Sequence, residues 1–531
     1  MSTHSLHTSS ALMKRLVYSL ASLCAAALLL LLPQTQHALP LSARPANVVA
    51  MLVRPAALLL PGSRDFWHTE GNRILDAHNQ SIRISGVNWS GFETLQAIPG
   101  GLDAQDYRVI LRTIQANGYN TVRIPFSNEM VETPTAPNHI RFSNPSGPIN
   151  ADLRNLTSLE ILDKIVAYSG KLGLKIILDN HRSEAGSSAQ ESGLWYTPRF
   201  PESAWIEDWT ALARRYSNTS TVIGMDLRNE PHNADKGGSC WDCGGLTDWH
   251  QAAGRAGDAI LAVNPRLLIF VEGVDTYAGD TYWWGGNLEG VRRSPVRLSV
   301  PNHLVYSAHE YGPTEYAQPW FNTATSPATL AGLWRRHWAY ISEAGIAPVW
   351  IGEFGTSNRD ADVQSSTPGS EGQWFTSLIE FFGSHPALGW TYWGVNGEDR
   401  YGLLDIAYSS QPANQLKAEA LANISSSGTS SRTLALAAAI PTPMPPTYPT
   451  LPTTFSQPSA AAEPAPYTHP TIQPSFSTES HRQPTAVAHS HPSDSRSSTT
   501  SSVQSSITAS IHQAVSTANL NLAEDLGTAA R

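Results

Sequence analysis

Eight short runs rich in β-forming residues recur between residues 82 and 392, each set apart from the next by a stretch of helical period. They are Ile82–Asn88, Thr121–Phe126, Lys175–Asp179, Val222–Arg228, Leu267–Val271, Leu304–Ser307, Val349–Ile351 and Gly389–Tyr392. In 103–117, Tyr107, Ile110, Leu111 and Ile114 fall on one helical face and Gly118 follows as a stop signal. The pattern repeats in 159–172, with Leu159, Leu162, Val166 and Ser169 on one side and Gly173 behind. Strands that alternate with helices make a parallel sheet, because a parallel pair needs a long crossover and a helix is its usual form. The repetition predicts an α/β fold, a (β/α)8 TIM barrel. An open doubly wound sheet would want a glycine-rich nucleotide loop after its first strand. None stands there, and Gly285-Gly286-Asn287-Leu288-Glu289-Gly290 is too irregular and too late to serve.

The rest of the chain differs in character. All 16 tryptophans lie between Trp67 and Trp393, inside the region of alternation. Before it, Lys14 and Arg15 precede an apolar run from Leu16 to Leu32 that Pro33 ends, which is the grammar of a secretory signal. The run is also just long enough for a membrane anchor. Residues 1–43 are therefore expected to be a signal peptide or N-terminal anchor, 44–61 a linker and 62–422 the barrel. Residues 423–531, rich in Ser, Thr, Pro and Ala, are expected to be a disordered tail, since such a composition buries too little apolar surface to offset chain entropy. Either reading of the N-terminus takes the protein out of the cell, secreted or held at the membrane. Lys plus Arg is 35 against 44 for Asp plus Glu, a net charge of −9, which argues against a nucleic-acid partner. Three cysteines exclude a disulfide-dense scaffold and a multi-cysteine metal centre.

In a barrel, side chains just past the carboxyl end of each strand face the active site. Those positions read Arg123 in Thr121-Val122-Arg123-Ile124-Pro125, then Asp179-Asn180-His181, Arg228-Asn229-Glu230-Pro231, His309-Glu310-Tyr311, Gly352-Glu353-Phe354-Gly355 and Trp390-Thr391-Tyr392-Trp393. Two glutamates at the ends of apolar strands fit the cleavage of a glycosidic bond, which needs a proton for the leaving oxygen and a carboxylate for the charge developing at the sugar carbon. Arg123 and Tyr311 are expected to hydrogen-bond Glu353 and keep it ionised. Glu230, packed among aromatics, is expected to be held protonated. His181 and His309 read as positioning donors, or as core histidines. Asp179, Asp226 and Glu272 lie near strand ends without an assigned role. No H-E-x-x-H and no nucleotide loop is present, so no metal and no organic cofactor is expected.

With Gly86-Val87-Asn88-Trp89 and Asn120-Thr121-Val122-Arg123-Ile124-Pro125 added to these stretches, residues 62–422 resemble a glycoside hydrolase family 5 endoglucanase, a bacterial cellulase of the 4/7-barrel superfamily. The resemblance implies retaining hydrolysis of β-1,4-glucan, with Glu230 as acid/base and Glu353 as nucleophile. Arg123, His181, Asn229, His309, Tyr311 and Trp393 match the family's supporting residues. Mannan, xylan or mixed-linkage glucan are the alternative substrates, and a silent carbohydrate-binding protein is the alternative from another class. The Cys240-Trp241-Asp242-Cys243 loop resembles one that carries a short disulfide in these cellulases. Their second disulfide falls near Leu95 and Ala185, both non-cysteine here, so looser loops with intact chemistry are expected. A polysaccharide cleft needs aromatic platforms, for which Trp89, Trp195, Trp283, Trp284, Trp320 and Trp393 are candidates; Trp205, Trp209, Trp334 and Trp338 sit on helical patterns and read as packing. The expected partner is the glucan alone, taken by a monomer.

Overall fold

The computed structural model describes residues 65–234 and 237–425. The expected export segment (1–43), the linker (44–61) and the tail beyond Ser425 lie outside the described residues. Among the described residues no helix is long and apolar enough to cross a membrane. Eight parallel strands close into a barrel. They are β1 (Ser85–Asn88), β2 (Thr121–Ser127), β3 (Lys175–Arg182), β4 (Val222–Asp226), β5 (Leu268–Glu272), β6 (Leu304–His309), β7 (Val349–Glu353) and β8 (Gly389–Tyr392). The ring closes where β8 pairs with β1, Tyr392 opposite Val87.

Helices return the chain between most strands: α1 (Tyr107–Ala116), α2 (Ser158–Leu172), α3 (Glu202–Arg215), α4 (Trp249–Val263), α5 (Pro327–Trp334), α6 (Glu371–Ser384) and, after β8, α7 (Gln415–Ser425). Their ends follow local chemistry. α2 opens with a capping box, in which Thr157 accepts from the Glu160 N–H and the Glu160 carboxylate accepts from the Thr157 N–H. It stops at Gly173, whose φ of 77° suits a residue without a Cβ. Leu159, Leu162, Ile165 and Val166 bury its inner face, each contributing ~1.5–3 kcal/mol relative to exposure. The connection from β5 to β6 departs from the expected alternation. It contains a two-stranded ribbon (Thr276–Tyr277 with Asp280–Thr281) and a 3-10 turn (Glu289–Arg292) in place of an α-helix.

Side chains on a strand alternate between the barrel interior and the helical layer. The lower interior is apolar: Ile84, Ile177, Phe270, Val305 and Trp350 pack together. Gly224 makes room, since a Cβ there would lie 2.4 Å from the Phe270 ring. Trp67 and Ile74, from a three-stranded antiparallel sheet formed by His68–Glu70, Arg73–Leu75 and Ser81–Ile82, complete this cluster at the strands' amino ends. Further up the strands, the same parity brings Asn88, Arg123, Asp179, Asp226, Glu272 and His309 inward, every one fully buried. The register shifts between Ala308 and His309, setting His309 beside Glu353.

Candidate active site

Arg123, on β2, is the hub of the polar layer. Its Nε donates to Asp226 (2.9 Å), Nη1 to Asn88 (3.1 Å) and Glu353 (2.6 Å), and Nη2 to Asn229 (3.1 Å), with Asp179 3.1 Å away as an ion pair and Glu272 at 3.4 Å. A guanidinium has five N–H donors in a rigid fork, so this one side chain fixes groups from β1, β3, β4, β5 and β7 relative to each other. Burial works against its charge, but the surrounding carboxylates hold it firmly cationic. Asp226 and Glu272 are pushed upward, because desolvation outweighs the pull of the nearby cations. Asp179, Asp226 and Glu272, given no role from sequence, are the acidic side chains that surround the Arg123 guanidinium at the site floor. The signal that marks them is the strand parity: each lies two residues beyond an interior position, Ile177, Gly224 or Phe270.

Glu353 ends β7. Its Oε1 accepts from Arg123, and its Oε2 accepts from the Tyr311 hydroxyl at 2.8 Å, as expected. Burial alone would raise this carboxyl, but the charges of His309, Arg123 and His181 and the Tyr311 hydrogen bond hold it below the ordinary carboxylate range. Glu230 lies in the turn after β4 with a left-handed φ of 49°, a conformation that costs a non-glycine residue roughly 1 kcal/mol or more. Its N–H donates to Glu272 Oε2 (2.8 Å) and its carbonyl faces His232 Nδ1 (2.8 Å). Desolvation raises the Glu230 carboxyl, His309 pulls it down, and the Glu353 charge pushes it up again, for a net upward shift. The direction is the one expected, but charged groups, not aromatics, make the polar contacts that tune it.

His309 stands between the two glutamates. Its Nδ1 is 3.1 Å from Glu230 Oε1 and 3.7 Å from Glu353 Oε2, and its Nε2 is 3.1 Å from Glu272 Oε1, placed as an ion pair rather than as an aligned hydrogen bond. Burial opposes a charge on this ring, but Glu272 and Glu353 prevail and it is held as imidazolium. One carboxyl oxygen from each of Glu230 and Glu353 and a His309 nitrogen all lie within 4.8 Å of one another. Two glutamates 123 positions apart in sequence therefore face each other across one gap, one held ionised and the other inclined to keep its proton. His181 Nδ1 pairs with Asp179 at 2.7 Å, and its ring stacks on Trp393 with centroids 5.5 Å apart. Asn229 gives its carboxamide oxygen to Arg123, while its Nδ2 meets no protein acceptor among the described residues.

The aromatic assignments divide. Trp393, Trp284 and Trp320 are half-buried at the cleft side of the barrel. Trp393 is fixed by an Nε1 hydrogen bond to Asp399, and Trp284 by stacking on His232 at 3.8 Å. Trp89 corrects the expectation: it is wholly buried, its Nε1 donating to the Gly100 carbonyl, so it supports the first loop and offers no face to a sugar. Trp195 and Trp283 are likewise buried, and Trp205, Trp209, Trp334 and Trp338 are core. Glu310, in the same motif as His309 and Tyr311, turns away from the cleft. It accepts from Tyr282 (2.5 Å) and Trp374 (3.1 Å), and burial pushes its carboxyl up to about 7.

Cys240 and Cys243 are joined by a disulfide. Where the resemblance places a second bridge, Leu95 is 86% exposed, and the two loops are held instead by a hydrogen bond from the Gly186 N–H to the Glu93 carbonyl (3.0 Å).

Residues 75–399 match the family model described as Cellulase (glycosyl hydrolase family 5). An endoglucanase of Paenibacillus polymyxa is 44% identical over 64% of this chain and 83% of its own length. The major extracellular endoglucanase of Xanthomonas campestris pv. campestris is 33% identical over 68% of this chain and 73% of its own. Among solved structures, an endocellulase from Pyrococcus horikoshii in complex with cellotetraose superposes with a TM-score of 0.61 at 34% identity, covering 68% of this chain and 98% of that one. The catalytic domain of the Xanthomonas enzyme gives a TM-score of 0.60 at 33% identity.

Proposed function

We propose that this chain, which belongs to the cellulases of glycosyl hydrolase family 5 and is an endo-1,4-β-glucanase, is a secreted enzyme that cleaves its glucan with retention of anomeric configuration. In the first step a Glu353 oxygen attacks the anomeric carbon and Glu230 gives its proton to the departing oxygen, so that the glycosidic bond breaks as the glycosyl–Glu353 bond forms. In the second, Glu230, now a carboxylate, takes a proton from water as that water displaces Glu353. The observation that carries this reading is the face-to-face approach of the two carboxyls, within 4.8 Å at their oxygens. Retaining pairs sit ~5–5.5 Å apart, whereas inverting pairs stand ~6.5–9.5 Å apart to admit a water between them.

The supporting residues divide the remaining work. Arg123 and Tyr311 keep the attacking carboxylate charged and aimed. Asn229 Nδ2 is free to meet a sugar hydroxyl, His181 is fixed by Asp179 for the same purpose, and Trp393 supplies the stacking face. Secretion is supported by the charged and apolar N-terminal pattern, by the disulfide, which belongs to an oxidising compartment, and by the name of the Xanthomonas relative. The bound cellotetraose of the Pyrococcus structure supports a cellulose-type substrate for this cleft.

The test is the anomeric outcome. Proton NMR during cellotetraose hydrolysis should show the β-anomer first, with the α-anomer growing only by mutarotation; α-anomer at the outset would refute retention. Glu353→Ala should lose roughly four or more orders of magnitude in kcat while still binding glucan, and release of reducing sugar should be faster from carboxymethylcellulose than from mannan.

A further inference from the structure

Glu272 is the last residue of β5, and both of its oxygens are committed to the surroundings of Glu230. Oε2 accepts the main-chain N–H of Glu230 at 2.8 Å. Oε1 lies 3.1 Å from His309 Nε2, and the opposite nitrogen of that ring is 3.1 Å from Glu230 Oε1. The contacts close a circuit from the Glu230 main chain, through Glu272 and His309, back to the Glu230 carboxyl. Glu272 is wholly buried, so water offers no competing partner. The residue it grips is in left-handed backbone geometry, φ 49°, which persists only where the surroundings over-determine it. Gly285 leaves the space the grip needs: a Cβ there would lie 2.1 Å from Glu272 Oε2 and 3.3 Å from the Glu230 Cα.

We propose that Glu272 is a positioning residue for proton transfer, holding the acid/base glutamate by its main chain directly and by its carboxyl through His309. The inference rests on the reading of Glu230 as the acid/base. A carboxylate serves here where an amide does not. Both partners present donors, the Glu230 N–H and the His309 Nε2–H, and Arg123 Nη2 adds a third at 3.4 Å. A glutamine would set an NH2 against one of them. The same carboxylate, together with Glu230 and Glu353, favours the imidazolium form of His309 against the burial that opposes it.

The experiment compares kcat/KM, which reports glycosyl-enzyme formation, on 2,4-dinitrophenyl β-cellobioside, whose leaving group departs without a proton, and on cellotetraose, whose leaving group needs one. Glu272→Gln should lose ~100-fold or more on cellotetraose and less than about tenfold on the activated substrate. Gly285→Ala, which keeps every charge and displaces Glu272 from the Glu230 N–H, should show the same split. It keeps the test available if Glu272→Gln does not fold. Equal losses on both substrates in the folded variants, or no loss, would overturn the proposal, because general loosening of the site lowers both rates together. Glu230→Ala is the reference. If it lacks the split, the acid/base assignment itself fails; if it shows the split and the other two variants do not, only the role of Glu272 fails.

Discussion

Glu353 and Glu230 carry one functional group in two electrostatic settings. Glu353 receives hydrogen bonds on both oxygens and faces three cations, so its carboxyl titrates low despite burial; Glu230 is raised chiefly by burial, with the Glu353 charge adding to it against the pull of His309. Under the proposed mechanism Glu353 must be ionised to attack, so activity should fall as pH drops through its depressed value. Glu230 must be protonated to act as the acid, so activity should fall again as pH rises through its elevated value. The pH profile of kcat/KM should therefore be a bell whose limbs stand further apart than two ordinary glutamates would give. Tyr311→Phe removes one donor from Glu353 and should move the acidic limb upward, leave the alkaline limb in place and cost roughly 100-fold in kcat. An unmoved acidic limb would mean that the Tyr311 hydroxyl does not tune Glu353. At this scale the two glutamates and the donors to Glu353 were legible because each stands in a short motif at a strand end, and the structure brings these side chains together. It misplaced Trp89, which follows β1 as an accessible residue would, but whose ring turns inward beneath the loop that ends at Gly100. Nothing in one strand's pattern says which side of a loop will cover it.

At the level of elements, the strands were legible to within a few residues because apolar runs bounded by turn residues have few other uses. The helix expected between β5 and β6 was not, since a segment pressed against the cleft follows the needs of Trp283, Trp284 and Gly285 rather than a helical period. Long-range tethers are still less visible. Lys417 on α7 is fully buried, and its ammonium donates to the carbonyls of Thr356 (3.2 Å), Tyr401 (2.9 Å) and Gly402 (3.3 Å), tying the last helix to the loops after β7 and β8. Tyr401 in turn stacks on Tyr311. Lys417→Met leaves those carbonyls short of a donor and should cost about 2–4 kcal/mol in a urea titration. Burial lowers the Lys417 ammonium to about 7. Above that pH the unfolded chain binds a proton that the folded chain has released, so wild-type stability grows with pH toward the ordinary lysine value. The stability gap between wild type and variant should accordingly widen from pH 7 to pH 9.5; a constant gap would show that the lysine stays charged when buried.

For the whole molecule, each residue assigned to the site lies between Asn88 and Trp393, and each is carried by a barrel strand or by the loop just past one. A chain cut to residues 62–425 should keep kcat/KM on cellotetraose to within about twofold, since the proposed catalytic pair, Glu230 and Glu353, is positioned by barrel closure. A larger loss would assign the flanking segments a part in turnover. The barrel is also plugged from below. Trp67 and Ile74 stopper the lower mouth over Ile177, Phe270 and Trp350, leaving the charged layer above them a blind well. Traffic through such a well has one door: solvent evicted by an arriving sugar leaves along the route the sugar takes in, and under the proposed two-step cleavage the water that frees the product enters only after the departing chain has cleared the sill.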